Sequence, residues 1–343
     1  MIYIFYHTDN DGYGSAATIL YSLLQENVLL SWSDATLYNN TNKLKLVPYC
    51  YEKLNTFVPI DYDDIQENDI IYIVDLSVSI NTKDKFVELC NHIYSKKAKL
   101  HWIDHHTSSQ ELLDTDVQFK NLLNTFKVDY FVNTAFCAMY NCWLHLLKAF
   151  AVPEIVRVID DYDCWKLNIP GTKAFQVAFG IEDNISEPNN VVWYKIFSNI
   201  EYGLNYVKLM IEKGNSIIAY LDKTDLDYCN NYGYETILCG FRCYVLNKRR
   251  NSDIFSHYID DYNIVLSYVY NGSNYIYSVY SKDSNVDCSK VAELFGGGGH
   301  KGAAGFSTKH LIVHKTNNNK FNVLYRIKDL FRKLKYSIRV NTK

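Results

Sequence analysis

Histidine and aspartate alternate near the start of the sequence, in the order His7, Asp9 and Asp11, and Gly12 follows them. If the chain stays extended here, alternate side chains point to one side of it. One imidazole and two carboxylates form a mixed nitrogen and oxygen ligand set, which suits Mn²⁺, Co²⁺ or Zn²⁺, whereas oxygen ligands alone suit Mg²⁺. Taken alone, the segment is more typical of a solvated loop in which Asp11-Gly12 makes a turn.

Further carboxylates and histidines follow at three later points of the chain. They are Asp75, then Asp104 with His105 and His106, then Asp160 with Asp161 and Asp163. A carboxylate that ends an apolar strand is costly unless it is paired or bound to a metal. Three carboxylates near a helix C-terminus oppose the helix dipole, which a bound cation would offset. Each cluster alone also has a simpler interpretation. Asp75 could cap a helix, the adjacent histidines could be surface residues, and the three aspartates could be a solvated run of charge.

The adjacent histidines suggest a division of tasks. Two neighbouring side chains on an extended chain point in opposite directions. One histidine could therefore bind a metal while the other faces a substrate phosphate, with Asp104 orienting one of the rings.

Three apolar runs, 2–6, 69–75 and 99–104, predict strands, and helical patterns at 15–24 and 83–94 follow the first two. Alternation of this kind predicts an α/β fold with a mostly parallel sheet flanked by helices, and ligands gather at the carboxyl ends of such strands. The clusters should therefore meet. Together they suggest two metal ions that share a carboxylate and generate a hydroxide nucleophile for phosphoryl displacement.

The rest of the chain predicts a second domain. We expect a catalytic domain over 1–188, a helical connector over 189–225 and a smaller C-terminal α/β domain over 226–343. Within the last, the patterns predict strands at 235–246, 263–270, 274–281 and 311–315, and an amphipathic helix over 321–334.

A glycine-rich segment, Gly296-Gly-Gly-Gly-His-Lys-Gly-Ala-Ala-Gly-Phe306, lies in that second domain. Its backbone can approach a ligand closely and direct several N–H groups at phosphate oxygens, with His300 and Lys301 adding polar or cationic contacts. It matches neither a Walker loop nor a dinucleotide fingerprint. The alternative is a glycine-rich hinge.

The net charge and the cysteine pattern argue against several classes of ligand and of protein. A formal net charge of −3 over 343 residues argues against long duplex DNA as the ligand. Nine cysteines without a C-x-x-C pair favour free thiols in a reducing, cytoplasmic setting over disulfides or a zinc ribbon. The first residues lack the basic region of a signal peptide, and no run of about 18 apolar residues predicts a membrane span.

These motifs resemble those of the DHH phosphoesterases that carry a C-terminal DHH-associated domain. The first motif is similar to His7-x-Asp9-x-Asp11, the second to Asp75, the third to Asp104-His105-His106 and the fourth to 160–165. The segment 296–306 is similar to the substrate-binding motif of the associated domain. Five motifs in this order look most like the oligoribonuclease (nanoRNase) branch.

The resemblance implies two Mn²⁺ ions, with Mg²⁺ or Co²⁺ as alternatives. His7, Asp9 and Asp75 would hold one ion. The other would be held by Asp11, Asp75, His105 and one aspartate of the fourth motif, for which Asp161 is favoured over Asp160 and Asp163. Asp104 and His106 would be catalytic, with His106 on the scissile phosphate and Gly298, Gly299, His300 and Lys301 binding it from the second domain.

The expected activity is 3′-5′ hydrolysis of short oligoribonucleotides to nucleoside 5′-monophosphates. Phosphodiesterase activity on cyclic or linear dinucleotides and a non-catalytic nucleotide-binding module are the alternatives. One departure bears on the substrate: many members have an arginine upstream of the glycine motif, where this chain has 278–282, with Tyr280 or Lys282 as stand-ins. A short oligonucleotide or dinucleotide is the expected partner, and the sequence is compatible with a homodimer.

Overall fold

The computed structural model describes residues 1–29, 31–34, 43–50, 56–315 and 332–336. By the packing of its residues the chain divides into two compact units, Met1–Ile218 and Ala219–Lys343. The long helix α9 (Ile200–Tyr232) runs through the point in the sequence where they divide. The three-part division into 1–188, 189–225 and 226–343 stays a prediction.

The first unit is built on a five-stranded sheet in which every strand is parallel to its neighbours. Its strands are β1 (Ile2–His7), β2 (Leu44–Tyr49), β3 (Ile70–Val74), β4 (Lys99–Asp104) and β5 (Asp129–Val132). Their order across the sheet is β2-β1-β3-β4-β5. After β1 the chain forms β2 on one side of β1, and then β3 on the opposite side of β1. This reversal places a topological switch point between β1 and β3.

Helices cover both faces of this sheet. They are α1 (Asn10–Gln25), α2 (Lys83–Ser95), α3 (Thr107–Thr115), α4 (Val117–Thr125), α5 (Ala138–Leu146), α6 (Glu154–Asp163), α7 (Thr172–Phe179) and α8 (Val191–Ser198), followed by α9. On one face Ile4 and Ile103 pack with residues of α1, α5 and α6. On the other, Phe5, Ile73 and Trp102 pack with residues of α2, α3 and α4. Each such buried side chain stabilises the unit by about 1.5–3 kcal/mol, so the strand ends are rigidly held.

The second unit contains a smaller six-stranded mixed sheet. Its strands are β6 (Tyr234–Leu238), β7 (Phe241–Leu246), β8 (Ile264–Tyr270), β9 (Tyr275–Tyr280), β10 (Gly298–Gly299) and β11 (Ala303–Thr308), and one helix, α10 (Cys288–Glu293), lies between β9 and β10. The order is β10-β11-β9-β8-β7-β6, with β7 and β8 parallel and the other pairs antiparallel.

The predicted fold class is confirmed: a parallel sheet flanked by helices precedes a smaller α/β unit. The prediction of a strand at 311–315 is wrong, because none of these residues is in a strand; within the described part of the chain the last strand is β11, which continues the glycine-rich segment. The helix predicted over 321–334 lies almost entirely outside the described residues. In the described part of the chain, each helix is too short or too polar to cross a membrane.

Candidate metal centre

The predicted site residues of the first three motifs lie at the carboxyl edge of the parallel sheet. His7 is the last residue of β1, Asp75 follows β3, and Asp104 is the last residue of β4. Because β1, β3 and β4 are neighbours in the sheet, these residues end up side by side next to the switch point. Ligand sites of doubly wound sheets lie at this place.

The first motif comes together in a different way from the one expected. The chain does not stay extended after His7, since α1 begins at Asn10 with Asp9 as its N-cap. One oxygen of Asp9 accepts the backbone N–H of Gly12 at 2.9 Å, and the other lies 2.6 Å from Nδ1 of His7. Asp11 therefore points into the centre from the first turn of a helix. The expectation of alternation along an extended strand is wrong, although the three residues stay neighbours.

Asp11 is buried and its carboxylate is fixed by another helix. Its two oxygens accept the backbone N–H groups of Ala138 and Met139, each at 2.8 Å, in the first turn of α5. This is a favourable place for a negative charge, because unpaired N–H groups and the positive end of the helix dipole meet there. Oδ2 of Asp11 still lies 3.8 Å from Nε2 of His105.

Asp75 occupies the middle of the centre. Its Oδ1 lies 3.2 Å from Nε2 of His105, and its Oδ2 lies 3.8 Å from Nδ1 of His7. The residue is 2% exposed and its backbone is left-handed, with φ of 56°. Such a conformation costs a non-glycine residue of order 1–3 kcal/mol and is typical of functional sites.

One oxygen of Asp75 has no ordinary partner. Oδ2 is buried, and among the residues that the structure describes none gives it a hydrogen bond. An uncompensated carboxylate oxygen in this position is costly unless a cation binds it. The residues present therefore fit a metal ion.

The adjacent histidines of the third motif have different surroundings. Nε2 of His105 faces three carboxylates, since it lies near Asp11 and Asp75 and also 3.6 Å from Oδ2 of Asp163. His106 instead places Nδ1 2.7 Å from Oδ1 of Asp104, which is fully buried. Both rings nevertheless belong to one group of potential ligands with Asp75, so the division of tasks between the two histidines stays a prediction.

In the fourth motif the structure places Asp163 in the centre and Asp161 outside it. The oxygens of Asp161 accept hydrogen bonds from the backbone of Asn168 at 2.8 Å, the backbone of Ile169 at 3.0 Å and the hydroxyl of Thr172 at 2.6 Å. With these bonds Asp161 fastens the loop that follows α6. The geometry therefore favours Asp163 over the predicted Asp161 as the ligand from this motif.

Asp160 is also occupied by contacts outside the centre. Its carboxylate accepts the backbone N–H of Cys137 at 2.8 Å and lies 2.6 Å from Nζ of Lys166. This pairing compensates its charge, so the three aspartates of the motif divide into two with local partners and one that reaches the centre.

The electrostatics of the centre reflect an excess of negative charge. Burial and the charge of Asp11 raise the pKa of Asp75 well above its ordinary value, and the same two causes raise the pKa of Asp163 to about 7. Burial lowers the pKa of His105, but a hydrogen bond with Cys164 and the charges of Asp11 and Asp163 outweigh it and bring that pKa to about 10. Protons are thus held here, where a divalent cation would compete with them.

Among the residues that the structure describes, three groups of side chains have ligand atoms that all lie within 4.8 Å of one another. They are His7 with Asp9 and Asp75, Asp75 with His105 and His106, and His105 with Asp163 and Cys164. Asp75 and His105 each belong to two groups. Cys164 was missed by the sequence analysis, which predicted free thiols and gave none of them a place in the site; its position next to Asp163 was the available signal.

The predicted phosphate-binding residues lie in the second unit. Gly298 and Gly299 form β10, which pairs with β11, and the turn between these strands is closed by a hydrogen bond from the N–H of His300 to the carbonyl of Ala303 at 2.8 Å. Gly299 has φ of 145°, and a Cβ atom there would overlap Ala304, so the turn requires glycine. Gly298, Gly299, His300 and Lys301 are all exposed.

Lys282 and Tyr280, which the sequence analysis offered in place of the family's arginine upstream of the glycine motif, contact other residues of the second unit. Nζ of Lys282 lies 3.0 Å from Oδ1 of Asp260, and the hydroxyl of Tyr280 lies 3.5 Å from the backbone carbonyl of Arg250.

No protein-family profile matches the chain. The uncharacterized protein R106 of Acanthamoeba polyphaga mimivirus is 22% identical over 315 residues, which cover 87% of this chain. The matched part amounts to 65% of that relative, so this chain spans less than two thirds of its length.

Among solved structures, a pGpG-specific phosphodiesterase, PggH of Vibrio cholerae, is 13% identical with a TM-score of 0.49, over 98% of this chain and 99% of that one. RecJ of Thermus thermophilus in complex with Mn²⁺ is 11% identical with a TM-score of 0.41, over 96% of this chain and 52% of that one. Similarity at this level does not assign an activity, which has to be judged from the side chains of the centre.

Proposed function

We propose that the chain is a two-metal phosphodiesterase of the DHH type that hydrolyses short oligoribonucleotides to nucleoside 5′-monophosphates. The observation that carries this proposal is the position of Asp75. Its two oxygens face His7 on one side and His105 on the other, so this one carboxylate would be available to both ligand sets.

The ligand sets follow from the contacts. His7, Asp9 and Asp75 would hold one ion, and Asp75, His105, Asp163 and Asp11 would hold the other, with Mn²⁺ as the proposed metal. Two bound divalent cations would supply neutralising charge and a bound water of lowered pKa.

The chain itself would orient the substrate. Asp104 accepts a hydrogen bond from Nδ1 of His106, which leaves Nε2 of that ring for another partner. The side chain of His106 is 34% exposed and can therefore reach a phosphate oxygen. In the second unit the exposed backbone of Gly298 and Gly299, with His300 and Lys301, would bind phosphate.

The substrate is proposed to be short because the chain is acidic overall. A few local cations can neutralise two or three phosphates, whereas a long polyanion requires a broad basic surface. A linear or cyclic dinucleotide would need the same metal chemistry and a different pocket.

The test measures product release from a five-residue RNA, the matching DNA, pGpG, a cyclic dinucleotide and a long duplex, with Mn²⁺ and then with a chelator. The variant Asp75→Asn keeps the shape of the side chain and removes its charge, and Asp114→Asn makes the same change at an exposed residue. We expect mononucleotides from the RNA, no product with the chelator or in Asp75→Asn, and full activity in Asp114→Asn.

Three outcomes would count against the proposal. Turnover of the cyclic dinucleotide alone would favour a signalling phosphodiesterase. Binding of nucleotide without turnover, with every metal tried, would favour a non-catalytic module. Unchanged turnover in Asp75→Asn would remove the metal assignment.

A further inference from the structure

A thiol lies at the edge of the proposed centre. Cys164 directly follows Asp163, and its Sγ, a carboxylate oxygen of Asp163 and a ring nitrogen of His105 all lie within 4.8 Å of one another. Unlike most cysteines of the chain, Cys164 is only partly buried.

Local structure holds this thiol in position. Cys164 is the C-cap of α6, and its backbone N–H bonds to the carbonyl of Asp160 at 3.1 Å. Its Sγ lies 3.6 Å from Oδ1 of Asp160, and that carboxylate is itself fixed by Lys166 and the backbone of Cys137. The contact with Asp160 therefore fixes the thiol in a position next to the ring of His105.

A second observation concerns the negative charge on this side of the centre. The ring of His105 faces Asp75, Asp163 and Asp11 at 3.2, 3.6 and 3.8 Å, so three carboxylates surround a single imidazole. Asp75 presents Oδ1 to this side, whereas its buried Oδ2, which receives no hydrogen bond from the described residues, faces His7 on the other side.

We propose that Cys164 is a metal ligand, and that His105, Asp163 and Cys164 hold a thiophilic divalent ion such as Zn²⁺ or Co²⁺ more tightly than Mn²⁺ or Mg²⁺. The inference rests on the proposed metal centre and adds the identity of the ion that one position selects. Thiolate is a soft ligand, which favours Zn²⁺ and Co²⁺ over the harder ions. On binding, the thiol releases its proton to solvent and its sulfur forms the bond to the metal.

Cobalt provides a test that does not depend on activity. The full chain is titrated with Co²⁺, and the near-ultraviolet absorption that arises from a thiolate bound to this ion is recorded for the wild type, Cys164→Ser, Cys164→Ala and Cys50→Ser. Cys50 is the matched control, because its thiol hydrogen-bonds His7 on the other side of the centre. Thermal melting of each variant checks the fold.

We expect the absorption band in the wild type and in Cys50→Ser, and its loss in both Cys164 variants. Calorimetry should show a loss of at least about tenfold in Zn²⁺ affinity in Cys164→Ser, with a much smaller change for Mn²⁺.

Co²⁺ binding without the band, or a band that survives in folded Cys164 variants, would overturn the inference and leave the phosphodiesterase proposal intact. A band lost only in Cys50→Ser would assign the ligand to the wrong thiol and also overturn it. If no divalent ion binds the wild type, both proposals fail.

Discussion

Nδ1 of His106 lies 2.7 Å from Oδ1 of the fully buried Asp104. Ser109 donates its hydroxyl to the other oxygen of this carboxylate at 2.5 Å. Burial alone would raise the pKa of Asp104, but the hydrogen bonds with His106 and Ser109 outweigh it and keep that pKa below its usual value. Asp104 is therefore a charged residue that orients the ring of His106.

This pairing predicts that Asp104→Asn lowers kcat while the affinity for metal changes little. The amide keeps the size of the side chain and removes the charge that stabilises and orients His106. Loss of a residue that orients a histidine in this way typically lowers activity by about 10–100-fold. Steady-state kinetics on a short RNA, together with calorimetric Mn²⁺ titration, separates the two effects.

Ser109→Ala is the control for this variant. It removes one hydrogen bond from the same carboxylate but keeps its charge and its contact with His106, so kcat should fall less than in Asp104→Asn. An equal fall in both variants would mean that packing around Asp104, and not its charge, matters for His106.

Asp161 and Asp163 provide a matched pair for the second prediction. Asp161→Asn places an amide against the N–H groups of Asn168 and Ile169, so it should lower the free energy of unfolding by about 1–3 kcal/mol. Asp163→Asn should leave folding intact and weaken Mn²⁺ binding, because it removes a carboxylate that faces His105. Urea unfolding and metal titration of both variants check this.

In chelator at pH 8 we expect Asp163→Asn to be at least as stable as the wild type, since a repulsive charge is gone. The assignment of Asp163 would be wrong if Asp161→Asn lost the metal while Asp163→Asn retained it.

The central strands were predictable because their sequences are continuous runs of apolar, β-branched and aromatic residues. The edge strands β2 and β5 were not: β2 contains Pro48, β5 has four residues, and each is paired on one side only. The omission did not affect the prediction of the site, because its residues follow β1, β3 and β4.

The choice between Asp161 and Asp163 could not be made from the sequence. Two residues apart on a helix, their side chains point about 200° away from each other, so only one can face the sheet. Which one does depends on the loop after α6. There Trp165 and Leu167 both have positive φ, and the chain turns so that the N–H groups of Asn168 and Ile169 reach Asp161. No local residue pattern predicts that path.

The third prediction concerns metal removal and pH. The pKa of Asp163 rises from 3.8 to about 7 on folding, so between these values the folded protein holds a proton that the unfolded chain has released. The free energy of unfolding of the metal-free protein should therefore fall as pH rises from about 4 to 7. His105, with its pKa raised from 6.5 to about 10, should continue the fall above neutrality.

Thermal melts in chelator from pH 5 to 9, repeated with Mn²⁺, check this. Added Mn²⁺ should stabilise the protein more at pH 8 than at pH 5, because protons compete with the metal for the same groups. Asp163→Asn should show a shallower fall between pH 5 and 7 than the wild type. Identical pH profiles for the two proteins would show that Asp163 does not titrate in this range.

The last prediction uses two glycines of α1. A Cβ atom on Gly12 would overlap the backbone carbonyl of His7, which lies at the end of a central strand and cannot move aside. A Cβ atom on Gly14 would meet the side chain of Met139, with Sδ at 2.5 Å, and a methionine can adopt another rotamer. Both substitutions to alanine gain about 1 kcal/mol of helix propensity, so the difference between them reports the clash.

We therefore expect Gly12→Ala to lower the free energy of unfolding by about 3 kcal/mol or more, and Gly14→Ala to change it by much less. Because the clash displaces His7, Gly12→Ala should also weaken Mn²⁺ binding in whatever fraction folds. Denaturant unfolding and metal titration of the two variants measure both effects. Equal stability of the two variants would contradict the close approach of α1 to the end of β1, on which the position of His7 relative to Asp9 and Asp75 depends.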